Sequence, residues 1–461
     1  MSHALPAYDP SLAVAHNPAH TATPRQKAGL ALVGLGLLAL AVAWAAGGTL
    51  GVPGLALLLG VAGIGGGTAL YAWGRYGAEP AGVRTEGTMF AASTARGHLG
   101  WAVAVALTAG YVLLYWWPET LAGLVAVFDP ISDAIGYPEG VGARRWVAYG
   151  SLYTLAVAAM GVRALWKYRH SRYHVVRTLS VVFFQTAFGF AIPYLMVLFD
   201  KPEFYFHYFW PLKYDYAWPG AFGWLPMALI AFGLFMILVA TPVLTYFFGK
   251  RWYCSWVCGC GALAETAGDP YRHLSDKSAA AWKVERWTVH GVLAFVVLTT
   301  ALLWVNSWSE GAVLGEASQA FSKAYGFWIG LVFAGVVGVG FYPIMGARVW
   351  CRFGCPMAAI LGLQQRFFSR FRITTNGGQC ISCGQCSAYC EMGIDVRAYA
   401  QRGQSVVRAS CVGCGVCATV CPRGVLRLEN GRETGGERRA GAATLTLIDR
   451  DLPILTYDEE R

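Results

Sequence analysis

Charge is scarce in this sequence. Of 461 residues only 13% are Asp, Glu, Lys or Arg, about half the share of an ordinary soluble protein. Hydrophobic residues make up 56% and the mean hydropathy is +0.44. That balance excludes a water-soluble globule and a disordered chain. No DNA-binding motif is evident, so the net charge of +10 is read as membrane orientation, and no nucleic-acid partner is expected. No C-x-x-C-H occurs, which removes covalent c-type haem. A b-type haem needs two histidines facing each other inside a bundle. His98 and His290 fall near span ends, His207 in an outside loop, and His170 and His174 beside a basic loop as surface residues. Residues 1–27 carry no apolar stretch before a cleavage site, so no cleaved signal peptide is expected.

What the sequence has instead is apolar length. Eight runs approach the roughly 20 residues that a membrane helix needs: near 28–47, 50–72, 98–118, 146–166, 178–198, 221–248, 287–306 and 325–346. Only self-satisfying backbone crosses lipid, so these are predicted helices. The first two, separated by Gly48 and Thr49 and diluted by glycines at 63 and 65–67, form either a tight hairpin or one re-entrant unit. With the N-terminus inside, the inside segments before the last span hold 15 Lys/Arg and the outside segments hold 5. This is the positive-inside pattern, and eight spans return the chain to the cytoplasmic side. Lys167, Arg169, Arg172 and Arg177, with no acid among them, are its cleanest instance.

One repeat stands out. Gly249, Arg251, Cys254 and Cys258 match Gly346, Arg348, Cys351 and Cys355 at a constant offset of 97 residues. Each copy follows a span at its predicted cytoplasmic edge, so two equivalent helix ends face one another, a common way to build a site between two halves. Soft thiolates spaced x3 suit copper, further iron or a redox dithiol, with Arg251 and Arg348 expected to lower the thiol pKa. Buried cysteines that merely pack are the bland alternative. Cys260 has Met357 as its counterpart and is read as structural.

The most specific signal is Cys380-x2-Cys383-x2-Cys386-x3-Cys390, followed by Cys411-x2-Cys414-x2-Cys417-x3-Cys421-Pro422. This is two-cluster ferredoxin spacing, in which the fourth cysteine of each run ligates the other cluster. It assigns Cys380, Cys383, Cys386 and Cys421 to one [4Fe–4S] cluster, and Cys411, Cys414, Cys417 and Cys390 to a second. Gly384, Gly413 and Gly415 let the backbone curl around the sulfurs. Zinc or disulfide frameworks do not suit eight cysteines in this order. Glu391 replaces the proline expected after Cys390 and is expected to loosen the exit from that cysteine.

Outside, Phe204–Pro211 reads as an aromatic belt or as a quinone pocket in which His207 or Asp200 takes a proton. Asp200, Glu203 and Asp215 are otherwise solvated charges.

With both cysteine patterns in view, residues ~221–430 resemble the membrane polyferredoxins typified by NapH, the C-terminal part of NosR, and CcoG. Cys351-x3-Cys355-Pro356 keeps that group's proline, whereas Cys254-x3-Cys258-Gly259 does not. The resemblance implies electron exchange between the quinone pool and a redox partner protein.

The resulting expectation is an all-α polytopic membrane bundle of about eight transmembrane helices with a small α+β two-cluster ferredoxin-like cytoplasmic domain. Its parts are a polar N-terminus (1–27), N-terminal helices (28–220), a membrane core with the duplicated motifs (221–372), the ferredoxin-like domain (373–430) and a polar tail (431–461). The expected function is an electron-transfer subunit of the inner membrane, or a quinol dehydrogenase component. Alternatives are a copper-reducing assembly factor for a respiratory metalloenzyme and a redox-sensing regulator.

Overall fold

The computed structural model describes residues 22–47, 53–77 and 97–430. The polar tail and most of the polar N-terminal segment lie outside the described residues.

Eight helices are long and apolar enough to cross a membrane: α1 Pro24–Ala45, α2 Pro53–Tyr76, α3 His98–Trp116, α4 Val141–Lys167, α5 Arg172–Leu198, α6 Met227–Phe248, α7 Ala279–Trp308 and α8 Ala317–Gly340. They coincide with the eight apolar runs, and several reach past them. α7 starts at Ala279 because Ser278 caps it, its hydroxyl accepting from the Ala281 amide at 3.1 Å. α1 and α2 pack along each other as full-length helices, which selects the hairpin over the re-entrant unit. The glycines that dilute the hydropathy of α2 make that contact: a Cβ on Gly63 or Gly67 would stand 2.7–2.8 Å from α1 backbone. Small residues are how membrane helices approach closely.

Three spans are locally widened, α8 by a π stretch over Gly326–Val337 and two others beside a proline. α5 has a π turn at Ala187–Ala191 just before Pro193, and α6 has one at Met236–Ala240 just before Pro242. Proline lacks an amide hydrogen and clashes with the carbonyl one turn earlier, and the helix absorbs this by loosening. In α6 the Met236 carbonyl accepts both the Thr241 amide, across the π turn, and the Thr241 hydroxyl at 2.7 Å.

The repeat is real in three dimensions. Gly249 ends α6 with φ 67°, and Gly346 ends the turn after α8 with φ 92°. A Cβ at Gly249 would meet Gln365 and Phe371, and one at Gly346 would meet Ser275. Each glycine leads into a short helix, Arg251–Cys254 or Val349–Phe353. A second helix then starts directly after Cys258 (Gly259–Glu265) or after Cys355 (α9, Pro356–Phe368).

These segments do not stop at the bundle edge, where the sequence places them. The Gln185 amide donates to the Val257 carbonyl and the Tyr153 hydroxyl to the Gly259 carbonyl, both at 2.7 Å. Gln185 and Tyr153 lie at the midpoints of α5 and α4, so the Cys258 turn sits half-way along the helices.

Beyond α9, β1 (Arg372–Thr375) pairs antiparallel with β2 (Leu426–Glu429). The hairpin closes a compact unit that holds all eight cysteines from 380 to 421.

Between this unit and the bundle lies buried charge. Asp269 pairs with Lys167 (2.8 Å), Arg163 (2.9 Å) and Arg272 (2.8 Å). Glu265 pairs with Arg177 (3.0 Å), Arg348 (2.7 Å) and Arg272. Glu391 pairs with Arg348 (3.0 Å) and Arg272. Burial alone would raise the Glu265 carboxyl; the three guanidiniums overcome it and hold the group well below the usual carboxylate range. Lys167 and Arg177, read from sequence as interfacial cations, are thus structural ion-pair partners. His174, expected at the surface, is 1% exposed, with its ring stacked 4.8 Å from that of Tyr168 and Nδ1 within 3.2 Å of Thr419 Oγ1.

Candidate functional site

The ferredoxin-like unit contains two small cavities, each lined by one quartet of thiols. Cys380, Cys383, Cys386 and Cys421 surround the first. Cys390, Cys411, Cys414 and Cys417 surround the second. The chain therefore crosses over between the runs: the last cysteine of each turns toward the other's cavity. Gly384, Gly413 and Gly415 have φ of 76°, 63° and 83°, which lets the loops curl. The Ile394 amide donates to Cys390 Sγ at 3.4 Å, the kind of contact that tunes an iron–sulfur cluster.

Thiol spacing tests the choice of metal. Among the described residues the one group of three ligand atoms within 4.8 Å is Glu265, Glu391 and Cys414, and both of its carboxylates are already held by arginines. The cysteine quartets are wider. A single zinc at about 2.3 Å from each sulfur brings thiolates to roughly 3.8 Å of one another. Soft thiolate donors around a larger space fit a [4Fe–4S] group.

Glu391 does not loosen the exit from Cys390. It is 1% exposed, clamped by Arg272 and Arg348, and its carbonyl accepts from Ser275 Oγ at 2.7 Å. The missing proline is replaced by an ionic anchor.

Cys254, Cys258, Cys351 and Cys355 are 5–6% exposed and come together in one buried group, with Cys355 sensing charge on the other three. Arg348 reaches Cys351 Sγ at 3.6 Å and the Cys254 carbonyl at 3.1 Å. Arg251 does not serve the thiols: it stacks on Phe371 and bonds Asn430. Burial outweighs the nearby cations at Cys254, whose thiol is pushed up to about 12 against the sequence expectation, whereas a hydrogen bond with Cys260, helped by backbone amides and Arg348, draws Cys258 down to about 7. Among the described residues the buried network sets five cations against three carboxylates, and its excess positive charge faces these thiols and the Cys414 carbonyl. This group is stitched to the ferredoxin loop: Ser255 Oγ donates to the Val412 carbonyl at 2.8 Å, and Gln365 bonds both the Lys250 amide and the Cys411 carbonyl.

On the far side of the Cys258 turn lies a cavity of about 690 Å³, within the range of small-molecule sites. Its walls are aromatic, among them Trp146, Tyr149, Tyr153 and Tyr208, and Gly189 in the α5 π turn contributes an open face. The inner wall is Gln185 and Tyr153, which bond the backbone at 257 and 259. His207 lines the cavity, 4% exposed, and neither ring nitrogen makes a hydrogen bond of normal geometry. Burial pushes it down to about 3, so its imidazole is neutral. Glu203, read from sequence as a solvated charge, also lines the cavity and accepts from Tyr137 and Tyr205. Asp200 is exposed and does not line it. No local motif marks Glu203, Gln185 or Tyr153; they meet only in the fold.

Comparison with known proteins agrees with this arrangement. Residues 229–278 and 326–374, one copy of the repeat each, match the 4Fe-4S binding domain family, and residues 379–426 match the 4Fe-4S dicluster domain family. The spans and sites thus define a class, a multi-helix chain with ferredoxin-type 4Fe–4S domains similar to membrane polyferredoxins. Among curated proteins the chain is similar to YccM of Escherichia coli, assigned there to electron transport only provisionally (28% identical, 39% of this chain, 56% of the relative). It is also similar to the methylamine utilization ferredoxin-type proteins MauN of Paracoccus denitrificans (29%, 38% and 56%) and of Methylobacillus flagellatus (29%, 33% and 53%). The chain spans about half the length of these relatives. No solved structure matches it.

Proposed function

We propose that the protein carries electrons between the quinone pool and a redox partner protein, as a multi-pass protein of the inner membrane with the ferredoxin-like unit on the cytoplasmic side. The two quartets at 380–421 hold two [4Fe–4S] clusters, and the Cys254, Cys258, Cys351 and Cys355 group holds a further iron–sulfur centre between them and the quinone. The observation that carries this reading is the aromatic cavity joined by Gln185 and Tyr153 to the backbone beside Cys258. It gives the ring of a quinone a place next to the cysteine group on one side, while the ferredoxin loop contacts that group on the other.

The clusters supply one-electron acceptance; the chain's own residues bind the ring and handle protons. A quinol becomes a quinone by losing two electrons and two protons. The tyrosine walls grip the ring. His207, its imidazole neutral, accepts one hydroxyl proton. Glu203 accepts the second and faces Tyr137 and Tyr205. The same groups return protons when electrons run the other way.

The test is the full chain purified anaerobically and analysed for iron, sulfide and copper, with EPR after addition of a short-chain quinol. About twelve irons are expected, falling to about eight in Cys258→Ser. Quinone should quench tryptophan fluorescence through Trp146 and Trp224, and His207→Leu and Gly189→Leu should weaken quenching and quinol-driven cluster reduction at unchanged iron content. Tight zinc without iron sinks the cluster reading. Copper with eight irons turns it into the assembly-factor reading. Wild-type behaviour of both cavity variants removes the quinone site.

A further inference from the structure

A second cavity, of about 360 Å³, lies where α7, α9 and the start of the second cysteine run meet. Its charge is one-sided. Lys250, Arg286, Arg352, Arg366 and Arg408 line it against one carboxylate, Glu285. That carboxylate is already committed, to Arg352 Nε at 2.8 Å and to the Ser410 hydroxyl. Among the described residues Arg286, Arg366 and Arg408 have no carboxylate within ion-pair distance. Arg286 and Arg408 instead flank Trp282, each about 5 Å from its ring. Lys250 is 2% exposed and its ammonium donates to the Ala409 carbonyl at 3.2 Å, leaving further N–H donors for the cavity.

The rim on the α9 side is the opposite in character. Leu363 and Phe367 line the same cavity yet are exposed, Phe367 at 67%. Phe368, next in the chain, is exposed at 70%, and Trp287 on α7 at 83%. In a membrane-spanning chain such residues face acyl chains or the interface. A free oxyanion has no use for that rim, whereas a phospholipid fits both halves, its headgroup among the cations and its chains along Phe367 and Leu363.

We propose that this cavity binds the headgroup of an anionic phospholipid. Four cations in excess of Glu285 outnumber the charge of one phosphate, so the preferred lipid carries two phosphates, as cardiolipin does. Basic pockets between membrane helices are a known way to hold such lipids. The bound headgroup bridges α7 (Arg286), α9 (Arg366) and the segment entering Cys411 (Arg408), and so fastens the ferredoxin-like unit to the bundle. The inference stands apart from the electron-transfer reading: it needs neither the quinone nor the clusters.

The experiment is native mass spectrometry of the delipidated full chain in detergent, titrated with cardiolipin, phosphatidylglycerol, phosphatidylcholine or inorganic phosphate. Cardiolipin should bind most tightly and phosphatidylcholine least. Removing a cation costs about fivefold in affinity, so the Arg286→Gln, Arg408→Gln double variant should lose roughly 25-fold. Lys283→Gln, an exposed neighbour that does not line the cavity, should lose less than twofold, and iron content in both should match wild type. Cardiolipin should raise the melting temperature of wild type and of Lys283→Gln, and not that of the double variant. Equal binding of phosphatidylcholine, an equal loss in Lys283→Gln, or displacement of the lipid by millimolar inorganic phosphate would each overturn the proposal.

Discussion

Glu391 shows how one residue can reverse its apparent meaning. By pattern it is a lapse, an acid where a ferredoxin run expects proline. In the fold its carboxylate is the shared partner of Arg272 and Arg348, both fully buried. Removing one member of a buried ion cluster leaves charge uncompensated and costs about 3–5 kcal/mol. Restoring the pattern with Glu391→Pro should therefore destabilise the protein by about that much, seen as a lower melting temperature of the intact protein in detergent. Glu391→Gln, which keeps the shape and loses the charge, should fall in between. A proline variant as stable as wild type would mean the ion pairs contribute nothing. Nothing local signals this role, because Arg348 and Arg272 lie 43 and 119 residues from Glu391 in the chain. Cys380 through Cys421, by contrast, are legible at once, since their ligand geometry is encoded in short spacing.

At the level of elements, the spans were readable because hydropathy averages over some twenty residues. The inward-folded segment at 249–278 was not, since the same averaging counts its Lys250, Arg251 and Arg272 as signs of a solvated loop. Arg272 and Lys250 are buried, and paired charge is invisible to composition. The depth of the Cys258 turn was missed for that reason; of the cavity above it only the Tyr205, His207 and Tyr208 wall was legible, because the walls from α4 and the π turn at Gly189 meet only in the fold. The crossed ferredoxin loops give the sharpest test at this scale. Cys390 lines the cavity of Cys411, Cys414 and Cys417, not that of its sequence neighbours. Cys390→Ser should abolish or convert the cluster of the second run and leave the EPR signal of the first intact. The opposite pattern would refute the crossing.

For the whole molecule, the 117–140 and 309–316 connections lie at one end of the spans and the ferredoxin-like unit at the other. This polarity makes an accessibility prediction. A cysteine placed at Glu139 or Glu310 should react with a membrane-impermeant maleimide in intact cells, while one placed at the exposed Arg402 of the ferredoxin-like unit should react only after the membrane is opened. Labelling at Arg402 in intact cells, or failure at Glu310, would invert the topology inferred from the Lys/Arg bias.

The buried ion network also dictates an order of events during synthesis. A chain made from its N-terminus presents Arg163, Lys167, Arg177, Arg272 and Arg348 before Glu391 exists, so the half-built bundle holds five cations against Glu265 and Asp269 alone. The bundle reaches its final charge balance only when the last tenth or so of the described chain arrives. Tyr173 and Arg177 of α5 then close over the Gly413–Cys414 loop, bonding its carbonyls. On the cluster reading proposed above, iron is expected to enter the second quartet before that closure, as a step preceding final assembly.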